Sequence, residues 1–231
     1  MRFLCIPLAG PLQSWGTRSR FANRDCERTP TKSGVLGIIA AALGIERGAD
    51  IGELRSLAFG VRADREGILR REFQTTLDVA SAQGGVAKDP QTSSRYYLAD
   101  AVFLAAIGGD AVLIERVYAA LRSPQWPLFL GRKSYVPSNP LCDPRGPFEA
   151  ADIADALKSR PLLAHRDKDE RVRIELDAEN NCGALRYDDP ISFDEKRRDY
   201  AARYVKTDYI PASDIVVGAF YLEANDVPKP A

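Results

Sequence analysis

A lysine between two hydroxyl residues, just ahead of an apolar helical pattern, is an arrangement that can hold phosphate, and Thr31-Lys32-Ser33-Gly34 has it. Backbone N–H groups in a first helical turn carry partial positive charge, and Lys32 and Ser33 add a cation and a hydroxyl beside them. Two other turns carry related chemistry. Leu8 to Gly16 (LAGPLQSWG) sets Gln13 and Trp15 among small residues, so a ring can stack on a base while an amide hydrogen-bonds its edge. Leu130-Gly131-Arg132-Lys133-Ser134 places two adjacent cations after a glycine, which suits phosphate oxygens. Between the first two turns lies a basic stretch with Arg18, Arg20, Arg24 and Arg28, opposed only by Asp25 and Glu27. Arg20, Arg24, Arg28 and Lys32 follow helical spacing, but Gly16 before them and Pro30 among them predict a loop. Each feature also has a structural reading: a helix cap, a tryptophan packed beneath its loop, a solvated charged face.

Catalytic templates fit poorly. A Walker loop needs glycine directly before the Lys-Ser pair and another five residues earlier, where this chain has Thr31 and Cys26. The four cysteines, Cys5, Cys26, Cys142 and Cys182, form no C-x-x-C pair, and with one histidine they make no zinc cage. His165 sits in the charged run AHRDKD with no nucleophile motif to serve, and is expected on the surface. Asp167/Asp169 and Asp188/Asp189 are expected in solvated turns rather than around a metal. No catalytic residue, metal or cofactor is assigned.

The elements that must position these turns follow from periodicity. Met1 to Leu8 is a mostly apolar run of strand length, the pattern of a buried central strand. Val35, Leu36, Ile38, Ile39, Ala42 and Leu43 define a wide helix face, capped by Ser33 or Thr31 and ended by Gly48. Leu57–Ala63 and Ile68–Val79 read as strands around a turn at Arg65-Glu66-Gly67. Ser81 to Ser94 is polar and glycine-containing, with nothing bulky to bury, and between strands it predicts an exposed hairpin arm. Arg95–Ile107 reads as one strand, Asp110–Arg122 as a helix and Phe129–Val136 as strand or loop. The order βαβ, arm, βαβ is a split-βαβ, ferredoxin-like pattern in the α+β class. The final third is expected to be a smaller β-rich part, with a helix at Phe148–Lys158 and strands near Val172–Leu176 and Ile215–Leu222.

Composition sets the outer limits. The chain has 231 residues, 45% hydrophobic and 28% charged, an ordinary globular balance. Lys+Arg 32 against Asp+Glu 32 cancel, so any polyanion site must be local. The charge is sorted along the chain, with 19 basic and 14 acidic residues before position 147 and 13 basic and 18 acidic after it. The longest uncharged stretch, Phe3–Thr17, contains Pro7 and Pro11 and falls short of the roughly 18 apolar residues a spanning helix needs. The prolines and the lack of a small-x-small cleavage site also argue against a secretory signal. Scattered thiols suit a reducing cytoplasm, each expected as a small buried hydrophobe.

Taken together and in order, LAGPLQSWG (8–16), TPTKSGVLG (29–37) and LGRKSY (130–135) resemble the CasD family, a subunit of the type I-E CRISPR surveillance complex Cascade. RYYLADAVF (95–103) is similar to that family's strand after its arm. The resemblance implies an RRM-like core of the repeat-associated RNA-binding superfamily, with a β-hairpin thumb at about Asp78–Ser94. It implies a non-catalytic, cytoplasmic subunit that grips the 5′ handle of the guide RNA (crRNA) and caps the complex beside its backbone and large subunits. No membrane or small-molecule substrate is implied. Residues 1–146 would form the RNA-binding core and 147–231 a C-terminal subdomain. Carried over by position, the RNA-binding residues are Gln13, Trp15, Lys32, Ser33, Arg132 and Lys133. Arg18, Arg20 and Arg24 join them on charge alone. The competing reading is a metal-independent endoribonuclease cutting repeat RNA, as in type I-C systems, with His165, a tyrosine and a lysine for acid and base. A protein-only scaffold is a third.

Overall fold

The computed structural model describes residues 1–17, 22–81, 84–86, 89–179 and 182–220. Its architecture is α+β, with few helices and a mainly antiparallel sheet. In chain order the elements are β1 (Arg2–Ala9), β2 (Leu12–Gln13), β3 (Asn23–Arg24), α1 (Lys32–Leu43), α2 (Gly52–Arg55), β4 (Ala58–Arg65) and β5 (Ile68–Thr76). There follow β6 (Gln91–Ala99), β7 (Val102–Gly109), α3 (Ala111–Arg122), β8 (Phe148–Glu149), α4 (Ile153–Lys158), β9 (Arg171–Ala178), β10 (Ala184–Ser192) and β11 (Asp199–Pro211). A large sheet runs β10-β11-β9-β4-β7-β1-β8, and a smaller one joins β2, β3 and β5 to β6.

The apolar run of β1 is explained by burial on both faces. Leu4, Ile6 and Leu8 point into the main core with Val35, Leu36 and Ile39 of α1 and Ile114 and Val117 of α3. Cys5 points the other way, packing with Leu104, Ala106 and Leu157 of α4. Its burial pushes the thiol up to about 12, so it behaves as an inert apolar group. On β4 the fully buried Arg62 binds Asp64 and donates to the carbonyls of Arg160 and Pro161 at 2.6 and 2.8 Å, clamping the chain that leaves α4.

Several expected boundaries move. Thr31 caps α1, its side chain accepting from the Gly34 amide, and the helix stops at Gly44 (φ 71°) rather than Gly48. Arg95–Ile107 is two strands, because Asp100 adopts φ 56° and passes the chain from β6 in the small sheet to β7 in the large one. The arm is paired from its base: β5 and β6 run Ile68↔Ala99 to Thr76↔Gln91, with 77–90 linking them. Phe129–Val136 contains no strand, and Phe148–Lys158 divides into β8 and α4. Ile215–Phe220 is not a strand, and residues 221–222 lie outside the described part. The unforeseen strands are the short β2 and β3, the latter where a loop was expected, and the long β10 and β11, which with β9 extend the large sheet past β4.

Candidate nucleic-acid interface

Two of the three glycine-containing turns meet around one cleft. The Ser14 amide donates to the Leu130 carbonyl at 3.1 Å and its hydroxyl to the Tyr96 carbonyl on β6 at 3.2 Å. Gly131 has φ 90°, and a Cβ there would lie 1.8 Å from the Ser14 carbonyl oxygen, so only glycine lets the turns approach this closely. Arg132 then reaches across, donating to the Tyr135 hydroxyl at 2.7 Å and the Tyr96 carbonyl at 2.8 Å, its guanidinium 5.2 Å from the Tyr135 ring centre. Burial pushes the Tyr135 phenol up despite the opposing pull of Arg132, so it stays a neutral acceptor.

The resulting cleft, of about 800 Å³, is lined by Ser14, Gly16 and Thr17 of the first turn, Arg24 and Asp25 of the basic loop and Gly131 and Arg132. Its remaining wall is Tyr187 on β10 with Arg198, Asp199 and Tyr200 at the start of β11. Arg24 sits on β3, paired through its backbone with Arg95 of β6, and its exposed side chain has no hydrogen-bond or ion-pair partner among the described residues. Lys133 is exposed next to the cleft turn. Arg18 and Arg20 fall outside the described residues.

Gln13 and Trp15 are not surface groups in this chain. Gln13 is fully buried, donating to the Leu8 and Ala101 carbonyls at 2.9 and 2.8 Å and accepting from the Trp15 indole at 3.2 Å. Trp15 is 1% exposed, and a Cβ at Gly34 would lie 2.8 Å from its ring, so the glycine of the second motif lets α1 settle on the tryptophan of the first.

The start of α1, where sequence alone suggests phosphate, already holds an anion. The Asp188 carboxylate accepts from the Lys32 amide at 2.9 Å and from two Arg203 nitrogens at 2.6 and 2.9 Å, and is fully buried. Lys32 Nζ lies 3.6 Å from Asp177 and 3.5 Å from Asp189, and the Ser33 hydroxyl turns to Thr31. Burial acts to lower the Arg203 pKa, but the hydrogen bonds and charges of Asp188 and Asp177 outweigh it and hold the group above its ordinary value. Asp188 and Asp189 are therefore strand residues in an ion-pair seam, not solvated turn residues. Cys182 also departs from expectation, being exposed, while Cys26 is half-buried and accepts from the Trp15 amide.

His165 is on the surface, its side chain 93% exposed and 3.7 Å from Asp167. It lines a second hollow, of about 330 Å³, with Arg166, Lys168 and apolar residues, among the described residues. No cluster of three or more His, Cys, Asp or Glu side chains suited to a metal occurs among the described residues. No described helix is long and apolar enough to cross a membrane.

Fold and site define a class: an α+β protein whose antiparallel sheet carries a hairpin arm beside a glycine-lined cleft edged with arginine. Residues 3–206 match the family described as CRISPR-associated protein (Cas_Cas5), and the chain belongs to that family. It is 33% identical over 172 residues to the CRISPR system Cascade subunit CasD of Escherichia coli (strain K12), covering 67% of this chain and 75% of the relative. A solved structure described as a Cas protein superposes with TM-score 0.76 at 42% identity, covering 94% of this chain and 98% of that one. A chain from a CRISPR RNA-guided surveillance complex superposes with TM-score 0.79 at 34% identity over 94% of each.

Proposed function

We propose that this protein is the crRNA-binding subunit of a type I-E Cascade surveillance complex, holding the guide's 5′ handle and capping the assembly next to the backbone and large subunits. The observation that carries the reading is the convergence of LQSWG, LGRKS and Arg24 on one cleft, from stretches of sequence more than a hundred residues apart. Similarity to CasD and to a surveillance-complex chain supports the same class. The strand order β8-β1-β7-β4, crossed by α1 and α3, supports a ferredoxin-like, RRM-like core, and the β5–β6 hairpin is the proposed thumb.

Within the proposed site Arg24, Arg132 and Lys133 meet phosphates, with Arg18 and Arg20 in the same loop. Gln13, Trp15, Lys32 and Ser33 act one layer below, fixing the turns that carry those cations. Residues 1–146 supply the core and 147–231 the C-terminal subdomain, in a cytoplasmic complex. Similarity to a Cascade subunit supports a binding role over endoribonuclease chemistry.

The test is to purify the tagged chain with its complex and sequence the bound small RNA. A population sharing a repeat-derived 5′ end is expected; unrelated fragments or none would overturn the proposal. Incubation with repeat RNA should leave it intact, whereas cleavage lost in His165→Ala would install the nuclease reading in its place.

A further inference from the structure

The acidic final third contributes a wall of the cleft, although sequence assigns the RNA chemistry to residues 1–146. Tyr187 and Tyr200 lie in the β10–β11 hairpin, where the pairing shifts between Arg186 and Asp189 and resumes at Asp189↔Ala201 and Pro190↔Tyr200. Both residues line the cleft, as does Arg198. The Arg198 side chain has no hydrogen-bond or ion-pair partner among the described residues, although it lies in the acidic final third. The wall is also held firmly from behind. Asp188, next to Tyr187, is the fully buried carboxylate bound by Arg203 and the Lys32 amide, and Asp189 is paired with Arg55 at 2.7 Å and with Lys32. One short segment of β10 thus turns an aromatic ring toward the cleft and fastens its neighbours to α1.

Two tyrosines and an arginine, lining one cleft of about 800 Å³ with Arg24 and Arg132, have the composition of a single-strand nucleic-acid site: stacking surface for bases, charge for the backbone. We infer that Tyr187, Tyr200 and Arg198 form the second half of the RNA site, the tyrosines stacking on unpaired nucleotides and Arg198 holding an adjacent phosphate. The inference rests on the RNA-binding reading above.

The probe is a fluorescent single-stranded RNA carrying the guide's repeat-derived 5′ segment, titrated with the full chain at several salt concentrations. Arg198→Ala should weaken binding about fivefold and reduce the slope of log affinity against log salt by about 0.7. Tyr200→Phe should bind nearly as the parent, while Tyr187→Ala and Tyr200→Ala should each lose about tenfold with the salt slope unchanged. Thermal melts of each variant separate lost contacts from lost folding. If Arg24→Ala weakens binding while Arg198→Ala and both tyrosine variants do not, the C-terminal wall is not part of the site and the RNA-binding reading stands. If the parent chain and its assembled complex fail to bind this RNA at all, both proposals fall.

Discussion

Two groups of cations flank β10, and they have opposite fates. Behind the strand, Lys32, Arg55 and Arg203 are committed to Asp177, Asp188 and Asp189, forming a seam that ties α1 and α2 to β9, β10 and β11. In front of it, Arg24 and Arg198 line the cleft without described partners. A lysine in a motif and an arginine in a loop look equally ready for phosphate, but availability depends on which carboxylates the fold brings up to them. Here the lysine at the helix start is the structural cation, and Arg24 and Arg198 of the cleft are the ones without a described carboxylate partner.

The sharpest break of this contrast is Asp188→Ala. It leaves Arg203 with Asp177 as its one remaining carboxylate and orphans the Lys32 amide, and should cost about 3 kcal/mol of stability, read from urea melts. A loss under about 1 kcal/mol would mean that the seam is dispensable. Gly131→Ala comes next, because its Cβ would collide with the Ser14 carbonyl in a backbone conformation alanine resists. A loss of about 2 kcal/mol is expected, together with weaker RNA binding as the two turns separate.

Exchanging single cations tests the division directly. Lys32→Met should destabilise by about 1–2 kcal/mol, since its carboxylate partners keep Arg55 and Arg203, and should leave the salt slope of RNA binding intact. Arg24→Ala should do the reverse, changing stability by less than about 0.5 kcal/mol while flattening the slope. Identical behaviour of the two variants would erase the distinction between seam and cleft.

The smallest effect is a thiol comparison. Exposed Cys182 should react with a thiol reagent in the folded chain, and Cys5 only after unfolding. Because folding raises the Cys5 pKa from 9.0 to about 12, its contribution to stability is complete below pH 9 and is lost as pH climbs toward about 12. A melting temperature that stays flat across that window in the parent, but not in Cys5→Ala, would contradict this.

Apolar periodicity made β1, β4, α1 and α3 legible, because their inward positions are occupied by Leu, Ile, Val and Phe. It missed β10 and β11 for a definite reason: their inward positions include Arg186, which pairs with Glu175 of β9, and Asp188 and Arg203, which pair with each other, instead of forming an oily face. The alternation rule looks for hydrophobes and finds charges. Asp100 hid a strand break because nothing around it reads as a turn, yet its left-handed backbone sends the chain into a different sheet. At the site, LQSWG and LGRKS were recognisable, but the role of Lys32 was not, since the carboxylate that receives its amide lies 156 residues away in sequence. For the same reason Tyr187, Arg198 and Tyr200 gave no signal: no motif surrounds them, and only the added strands bring them to the cleft.

One strand serves both the arm and the anchoring of the cleft's turns. β6 pairs with β5 out to Gln91 and Thr76, receives β3 at Ser94 and Arg95 and β2 at Leu98 and Ala99, and offers the Tyr96 carbonyl that Ser14 and Arg132 both grasp. The arm is thus the long end of a lever whose short end is the Arg132 anchor. A load applied along the paired β5–β6 ladder is carried to the same peptide that sets the position of that arginine.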